Sequence, residues 1–416
     1  MAKRVNKKRI LIYSLVFSPD GVSTAHLYSD LVLGFKKKGY QVTVLTSTPH
    51  YNITNESLIE QPLKKKFFGL LYTSIFNGVK VYHVPLKKYK NHLIRILSFI
   101  YWHISSFIVG LFLKKPNIIL TPSPPLTNGV FAILLGKIKG SKSIYNVQEI
   151  YPDLLINLGD IRKGVFIKIL KKIERWVYNM SDVVTTIDNQ FYNIIEYRIK
   201  EKNKLTIIPN FVDTELYSTK SSVSLPDEFK KKEDYTDILY AGNIGLAQEW
   251  DLIINLAKEI REFKINIWIV GEGLRKVYLE SEIEKYRLNN IKLLPYYDRK
   301  YMPGINLFAD IHFIAMNKKV EKYGFPSKVY TIMASGKPIL VVSSEETPIV
   351  SFLKDKNAAL LVTDHSISKF KEELLKLHNS KDLRDKLGAN GRQEIKKKYS
   401  KQVVIEQYLR LFNELC

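Results

Sequence analysis

At 416 residues with 45% hydrophobic side chains, the chain is long enough to build two ordinary domains, each with its own core. A single cysteine, Cys416, excludes an internal disulfide framework and fits a reducing compartment. The net charge of +23 lies almost wholly in the first half: residues 1–205 carry 31 Lys and Arg against 12 Asp and Glu, net +19, whereas residues 206–416 carry 33 against 29, net +4.

The chain starts with a basic stretch, Lys3 to Arg9, and the apolar run ILIYSLVFS. That run is short and no small-residue cleavage site follows, so it reads as a first strand and not as a signal peptide, and the protein is expected to stay in the cytoplasm. Arg9 to Phe17 is the predicted strand, SPDGVST (Ser18 to Thr24) a loop, Ala25 to Lys38 an amphipathic helix and Gln41 to Ser47 a second strand. Gly21 either lets a ligand approach the backbone after the first strand or serves a plain turn.

Residues 61–148 contain no Asp or Glu against 13 Lys and Arg. Such a field attracts an anion: nucleic acid, anionic lipid head groups or a phosphorylated acceptor. Stacking aromatics and recognisable nucleic-acid helices are not evident, which argues against nucleic acid. The most apolar segment, Asn91 to Leu113, sits here, with Lys87, Lys88 and Lys90 before it and Lys114 and Lys115 after it. Wound as a helix, it places Asn91, His92, Arg95, Ser98, His103, Ser105 and Ser106 on one face and Ile96, Leu97, Ile100, Ile104, Phe107, Ile108 and Leu111 on the other. A polar face and basic ends suit a helix lying in a membrane interface better than one crossing it, with Arg95 and Trp102 among the membrane-facing residues. The alternative, a core helix, accounts for the apolar face but not for the missing acids.

Further strands are predicted at Asn117 to Thr121, leading into SPP at 123–125, and at Ser143 to Val147. Glu149 and Asp153 follow the latter. In an open parallel sheet ligands bind at the carboxyl ends of strands, so Glu149 is placed to meet a substrate hydroxyl. Both carboxylates also fit the start of a helix, where they would favour the dipole. A helix over Val165 to Asn179 and strands at 183–187 and around LTIIPN complete the first half, and Pro209, Asn210 and Asp213 punctuate a crossing between domains.

The second half restarts the alternation with DILYAGNIGLAQEWDLIINLAKEI, Asp237 to Ile260: strand, glycine loop, helix. Strands at Ile265 to Val270, Asn290 to Leu294 and Ala309 to Ala315 follow, and Gly242, Gly245, Gly271 and Gly273 fall at strand ends. In YGFPSKVYTIMASGKPIL, residues 323–340, Gly324 and Pro326 break regular structure, Ser327 and Lys328 open a helix, and Gly336 and Pro338 close it. A helix opening this way offers free N–H groups and a positive dipole end beside the Lys328 ammonium, a seat for a diphosphate. A surface helix with a solvated lysine is the alternative.

Taken in order, QEIYPD, IPNFVD, GNIGLAQ, VGEG, LFADI and PSKVYTIMASGKP resemble the retaining glycosyltransferases of family 4, especially bacterial members that build capsule, O-antigen and exopolysaccharide repeat units, including fucosamine-transferase-like enzymes. The resemblance implies an α/β GT-B fold of two Rossmann-like, doubly wound parallel-sheet domains facing a cleft. The implied divisions are an acceptor-binding, membrane-facing domain at 1–212, a sugar-nucleotide domain at 213–398 and a last helix at 399–416 returning towards the first. It further implies transfer with retention and without a metal or other cofactor, from a UDP-type nucleotide sugar to a polyprenyl-diphosphate-linked glycan, by an enzyme peripherally bound to the inner face of the plasma membrane. A non-catalytic scaffold of the same fold is the competing reading.

The donor side implied by the resemblance comprises Gly242, Asn243, Gly245, Gln248, Gly271, Gly273, Tyr296, Glu321, Tyr323, Pro326, Ser327 and Lys328. The acceptor side comprises Gly21, Ser23, Glu149 and Asp153. Glu149 and Lys328 carry the chemistry, the first by orienting or deprotonating the acceptor, the second by stabilising the leaving diphosphate. The sequence also departs from the family. Where relatives carry Arg and Lys in the glycine loop, Asn243 and Gln248 stand; where they carry paired glutamates, Tyr323 and Thr331 stand, with Glu321 just upstream; and the first-domain histidine near SPP is missing.

Overall fold

The computed structural model describes residues 8–87, 89, 91–158, 164–219 and 225–415. The chain divides into two compact units: Met1–Asp153 with Ile161–Pro209 and Lys401–Cys416, and Asn210–Ser400 with Leu154–Asp160.

In the first unit the strands are β1 (Arg9–Tyr13), β2 (Gln41–Ser47), β3 (Lys64–Lys66), β4 (Leu71–Phe76), β5 (Val79–Val84), β6 (Ile118–Pro122), β7 (Lys142–Val147), β8 (Val183–Thr186) and β9 (Leu205–Ile207). They form one sheet in the order β3-β4-β5-β2-β1-β6-β7-β8-β9, parallel except where β4 pairs with β3 and β5. Continuous apolar runs such as IILTP in β6 are buried throughout, as expected of parallel strands covered on both faces. The helices His92–Phe112, Leu126–Lys139 and Val165–Met180 pack side by side, the first two also against the sheet. The helix Ser23–Lys37 packs on β2 and is covered by Lys401–Leu415. Gly34 permits that close approach, because a Cβ there would overlap the Ile405 side chain, and Phe35 meets Phe412 beside it at a centroid distance of 5.1 Å.

In the second unit β10 (Thr236–Ala241), β11 (Ile265–Val270), β12 (Ile291–Leu294), β13 (Ile311–Ala315), β14 (Ile339–Val342) and β15 (Ala359–Val362) form a wholly parallel sheet in the order β12-β11-β10-β13-β14-β15. The order reverses between β10 and β13, so the loops leaving these strands part to either side of a crevice, the usual ligand position in a doubly wound sheet. The expected strand and helix alternation is present here. What the alternation does not anticipate is the antiparallel run β3–β5 at one edge of the first sheet, although Asn77-Gly78 between LYTSIF and VKVYHV is a hairpin-turn signal.

Candidate functional site

The loops after β10 and β11 meet through glycine. Gly242 N donates to Val270 O at 2.9 Å and Ile244 N to Glu272 O at 2.8 Å, zipping the two loops together. Gly271 and Gly273 hold φ of +151° and +159°, where a Cβ would overlap the carbonyls of Gly242 and Ile244 respectively. The 242–249 loop is fixed at its far end as well: Trp250 Nε1 donates to Gly245 O at 2.8 Å, Glu249 N to Ala315 O at 3.0 Å, and Gln248 bridges to Met316. The result is a cross-linked rim of backbone, with the Asn243 side chain lying against Gly245 and Gly273.

Lys328 reaches this rim. Its Nζ is buried, has no hydrogen-bond partner, lies 3.2 Å from the centroid of the Tyr240 ring, and sits where a Cβ on Gly242 would come within 2.8 Å. Burial pushes its ammonium well below the ordinary lysine value. An orphaned cationic group held against an aromatic face beside glycine backbone is a receptor for an anion. The helix itself contributes less than the sequence implies. It spans only Lys328–Ala334, and its first N–H groups are already used, Val329 N donating to Pro326 O at 3.0 Å and Tyr330 N to Ser327 O at 3.2 Å. Pro326 and Ser327 therefore shape the turn, and the charge rests on the lysine. Tyr240, whose hydroxyl donates to Asn243 O at 2.7 Å, was not anticipated; it is a strand residue without a motif.

Gly242, Asn243, Gly271, Gly273 and Lys328 thus converge. Tyr296 follows β12 next to the Gly271 loop, Gly271 N donating to Leu294 O at 3.1 Å. Tyr323 is partly exposed in the turn that leads to Pro326. Glu321 is different. It is 2% exposed, and its carboxylate accepts from Ser343 Oγ at 3.0 Å, Ser344 N at 2.9 Å, Ser344 Oγ and His365 Nε2 at 3.1 Å. Burial raises its pKa, but the bonds from His365 and Ser344 outweigh it and hold the carboxyl at about 2. These bonds tie the loops after β14 and β15 together, a role the donor assignment did not include.

In the first unit Gly21 N donates to Tyr51 O at 2.9 Å, and Ser23 is the exposed first residue of its helix. The sequence reading passed over Asp20, which is 2% exposed and accepts from His50 N and Tyr51 N at 2.7 Å each, fastening the loop after β2 to the loop after β1. Glu149 stands beyond β7 on a loop held by Gln148 N donating to Ser123 Oγ at 3.0 Å, and burial pushes its carboxyl up to about 7. Asp153 is not open to an acceptor as expected: it is 8% exposed and paired with Arg198 at 2.6 Å and Lys171 at 3.4 Å. Arg198, 45 residues downstream, is brought there by the fold and joins Asp153 to the buried Glu174.

The helix His92–Phe112 reverses part of its expected orientation. His103 and Ser106, assigned to the wet face, are buried: His103 bonds Thr127 at 2.8 Å and stacks on Phe131 at 4.8 Å, and Ser106 shares a 2.7 Å hydrogen bond with the Tyr13 hydroxyl. Trp102, expected to face the membrane, is wholly buried against Tyr13. Leu93, Ile96, Leu97, Ile100, Ile104 and Ile108 are exposed, the last five being residues of the expected apolar face. Lys87, Arg95, Lys114 and Lys115 are also exposed, whereas Lys88 and Lys90 lie outside the described residues. By length and composition this helix is long and apolar enough to cross a membrane, and its His103 and Ser106 side is fastened to its domain. Among the described residues no three His, Cys, Asp or Glu side chains converge as a metal site would need.

Residues 25–216 match the family model "Glycosyltransferase Family 4" and residues 224–394 match "Glycosyl transferases group 1". A putative colanic acid biosynthesis glycosyl transferase of Escherichia coli is 24% identical over 82% of this chain and 84% of its own length. Among solved structures, sucrose-phosphate synthase of Thermosynechococcus elongatus superposes with a TM-score of 0.74 at 13% identity, covering 98% of this chain and 99% of its own. Anabaena HepE in complex with UDP and glucose gives 0.71 at 11% identity over 97% and 99%. These structural likenesses show the fold, GT-B.

Proposed function

We propose that this chain, which carries a family 4 and a group 1 glycosyltransferase domain in sequence, transfers a sugar with retention of configuration from a nucleoside-diphosphate sugar to a polyprenyl-diphosphate-linked saccharide, in the assembly of a surface polysaccharide such as capsule or O-antigen. The observation that carries the donor half is the Lys328 ammonium, buried without a partner at the rim of Gly242, Gly271 and Gly273. As the glycosidic bond breaks, the leaving diphosphate gains negative charge, and Lys328, held in place at the glycine rim, meets it, which is the role a metal plays elsewhere. Asn243 and Gln248 stand in the loop as uncharged hydrogen-bonding groups, so the lysine bears most of the neutralisation. Glu149, with a carboxyl that titrates near neutrality, suits the acceptor hydroxyl's proton.

The acceptor half rests on surface chemistry. The apolar outer face of His92–Phe112, set in an acid-free region, fits a helix resting in the head-group layer of an anionic cytoplasmic leaflet, where a polyprenyl-linked acceptor resides. Because His103 and Ser106 bind the helix to the domain, we place it along the membrane and not across it.

The test is a panel of sugar nucleotides screened by thermal stabilisation, then by transfer of labelled sugar to a polyprenyl-diphosphate acceptor. A donor at about 100 times its dissociation constant adds roughly 2.7 kcal/mol. Stabilisation by one nucleotide diphosphate with turnover supports the enzyme; stabilisation without transfer or hydrolysis would favour a scaffold; silence across the panel defeats the donor reading.

A further inference from the structure

At the edge of the first sheet, β3 consists of three exposed lysines, Lys64, Lys65 and Lys66, and the chain then turns through Phe67, Phe68 and Gly69 into β4. Phe67 is 71% exposed and Phe68 is wholly exposed. Both hold left-handed backbone, φ +45° and +55°, which a bulky aromatic residue adopts at a cost. Leu70 N donates to Phe67 O at 3.0 Å, closing the turn that presents the two rings. Edge lysines alone serve to blunt a sheet edge against self-association. They do not account for two adjacent phenylalanines held outward at the tip.

The tip has a fixed address. In the antiparallel ladder Lys66 opposes Leu71 and Tyr72 opposes His83, so the turn lies beyond Val84, at the carboxyl end of β5. The chain leaving β5 passes Lys87 and enters the helix His92–Phe112, whose first turns therefore start from the same end of the sheet. Leu71 and Leu86 share one core cluster with Trp102, coupling the turn to that helix. No acidic residue lies anywhere between 61 and 148.

We propose that the Lys64–Leu70 hairpin tip is a second membrane contact, an aromatic wedge in which Phe67 and Phe68 enter the interface of an anionic bilayer while Lys64, Lys65 and Lys66 meet its head groups. Aromatic rings favour the head-group boundary, and each lysine near an anionic surface adds attraction. With the exposed side of His92–Phe112, the wedge gives two separated contacts, which restrain the first unit on the bilayer, where one contact alone would leave it free to roll about the helix axis. The inference rests on the membrane reading above, and the experiment separates the two.

The full chain bearing Cys416→Ser and Phe68→Cys, labelled with an environment-sensitive dye, is mixed with vesicles of phosphatidylcholine and phosphatidylglycerol or of phosphatidylcholine alone, and its sedimentation is followed in parallel. The expected result is blue-shifted emission, quenched by lipid-borne quencher, with the anionic vesicles only. Phe67→Ser with Phe68→Ser is expected to weaken sedimentation by about tenfold, equivalent to about 1.4 kcal/mol, with an unchanged circular dichroism spectrum. Protein that sediments with anionic vesicles while the dye stays in water overturns the wedge and leaves the helix as the sole contact. A dye that becomes buried without lipid as protein concentration rises shows a second copy covering the tip, which also overturns it. Failure to bind either vesicle defeats the wedge together with the membrane reading.

Discussion

Lys328 Nζ lies 3.2 Å from the centroid of the Tyr240 ring, with no oxygen acceptor in reach. The cation is stored against a π face and beside glycine backbone, ready for a stronger partner. Replacing Lys328 with Ala is expected to lower kcat by about 100- to 1000-fold, the usual loss for one preorganised donor to a developing oxyanion. Lys328→Arg is not expected to restore it, since a planar fork does not fit the slot that fits an ammonium. Unchanged transfer kinetics for Lys328→Ala would remove the proposed role.

The same burial predicts a proton signature. Desolvation lowers the Lys328 pKa and a bound diphosphate stabilises its charged form, so nucleotide binding raises that pKa and takes up a proton at any pH where the free side chain is partly neutral. Calorimetry in two buffers of different ionisation enthalpy reads that uptake directly; Lys328→Met abolishes it.

Glu149 predicts a pH limb. With its carboxyl pushed up to about 7 by burial, the basic form fills as pH rises through neutrality, and the transfer rate should rise with it. Glu149→Gln removes both the limb and most of the rate. For stability the sign is opposite. A raised carboxyl contributes stability that is present below its ordinary value and lost as pH climbs through about 7, so the glutamine variant should be the more stable protein at pH 8, by about 1–2 kcal/mol. Chemical denaturation of both proteins at pH 5 and pH 8 measures the difference.

Glu321 predicts the reverse. Its carboxyl is held at about 2, so it contributes stability that is present above its ordinary value and lost as pH falls from there towards 2. Glu321→Gln should cost about 2 kcal/mol at pH 7 while leaving donor KM nearly unchanged, because its carboxylate is engaged by Ser343, Ser344 and His365. A large rise in KM with no loss of stability would return Glu321 to the donor site.

The parallel strands were legible because buried strands are written as largely apolar runs, INIWIV and ILVV among them, and glycines at their ends marked the loops. Lys328 was legible from its place after Pro326. What escaped was set by residues far apart in sequence. The orientation of His92–Phe112 is fixed by Thr127 and Tyr13, which helical periodicity does not contain, so a tryptophan and a histidine were put on the wrong sides. Asp153 was assigned by its place near a strand end, but Arg198 claims it. The lysine strand β3 lacks the alternation on which strand reading depends, whereas the β4–β5 hairpin was legible in Asn77-Gly78 between LYTSIF and VKVYHV and was overlooked beside the basic charge run.

The packing of Lys401–Leu415 on Ser23–Lys37 makes the first unit discontinuous along the chain. During synthesis, Phe35 and Gly34 must wait through the whole second unit for Phe412 and Ile405 to emerge, so the first sheet spends that interval with one helix uncovered. A fragment covering residues 8–209 alone would carry that apolar surface permanently. Isolating the first unit in soluble form therefore calls for joining residues 401–415 to it through a linker, not for simple truncation.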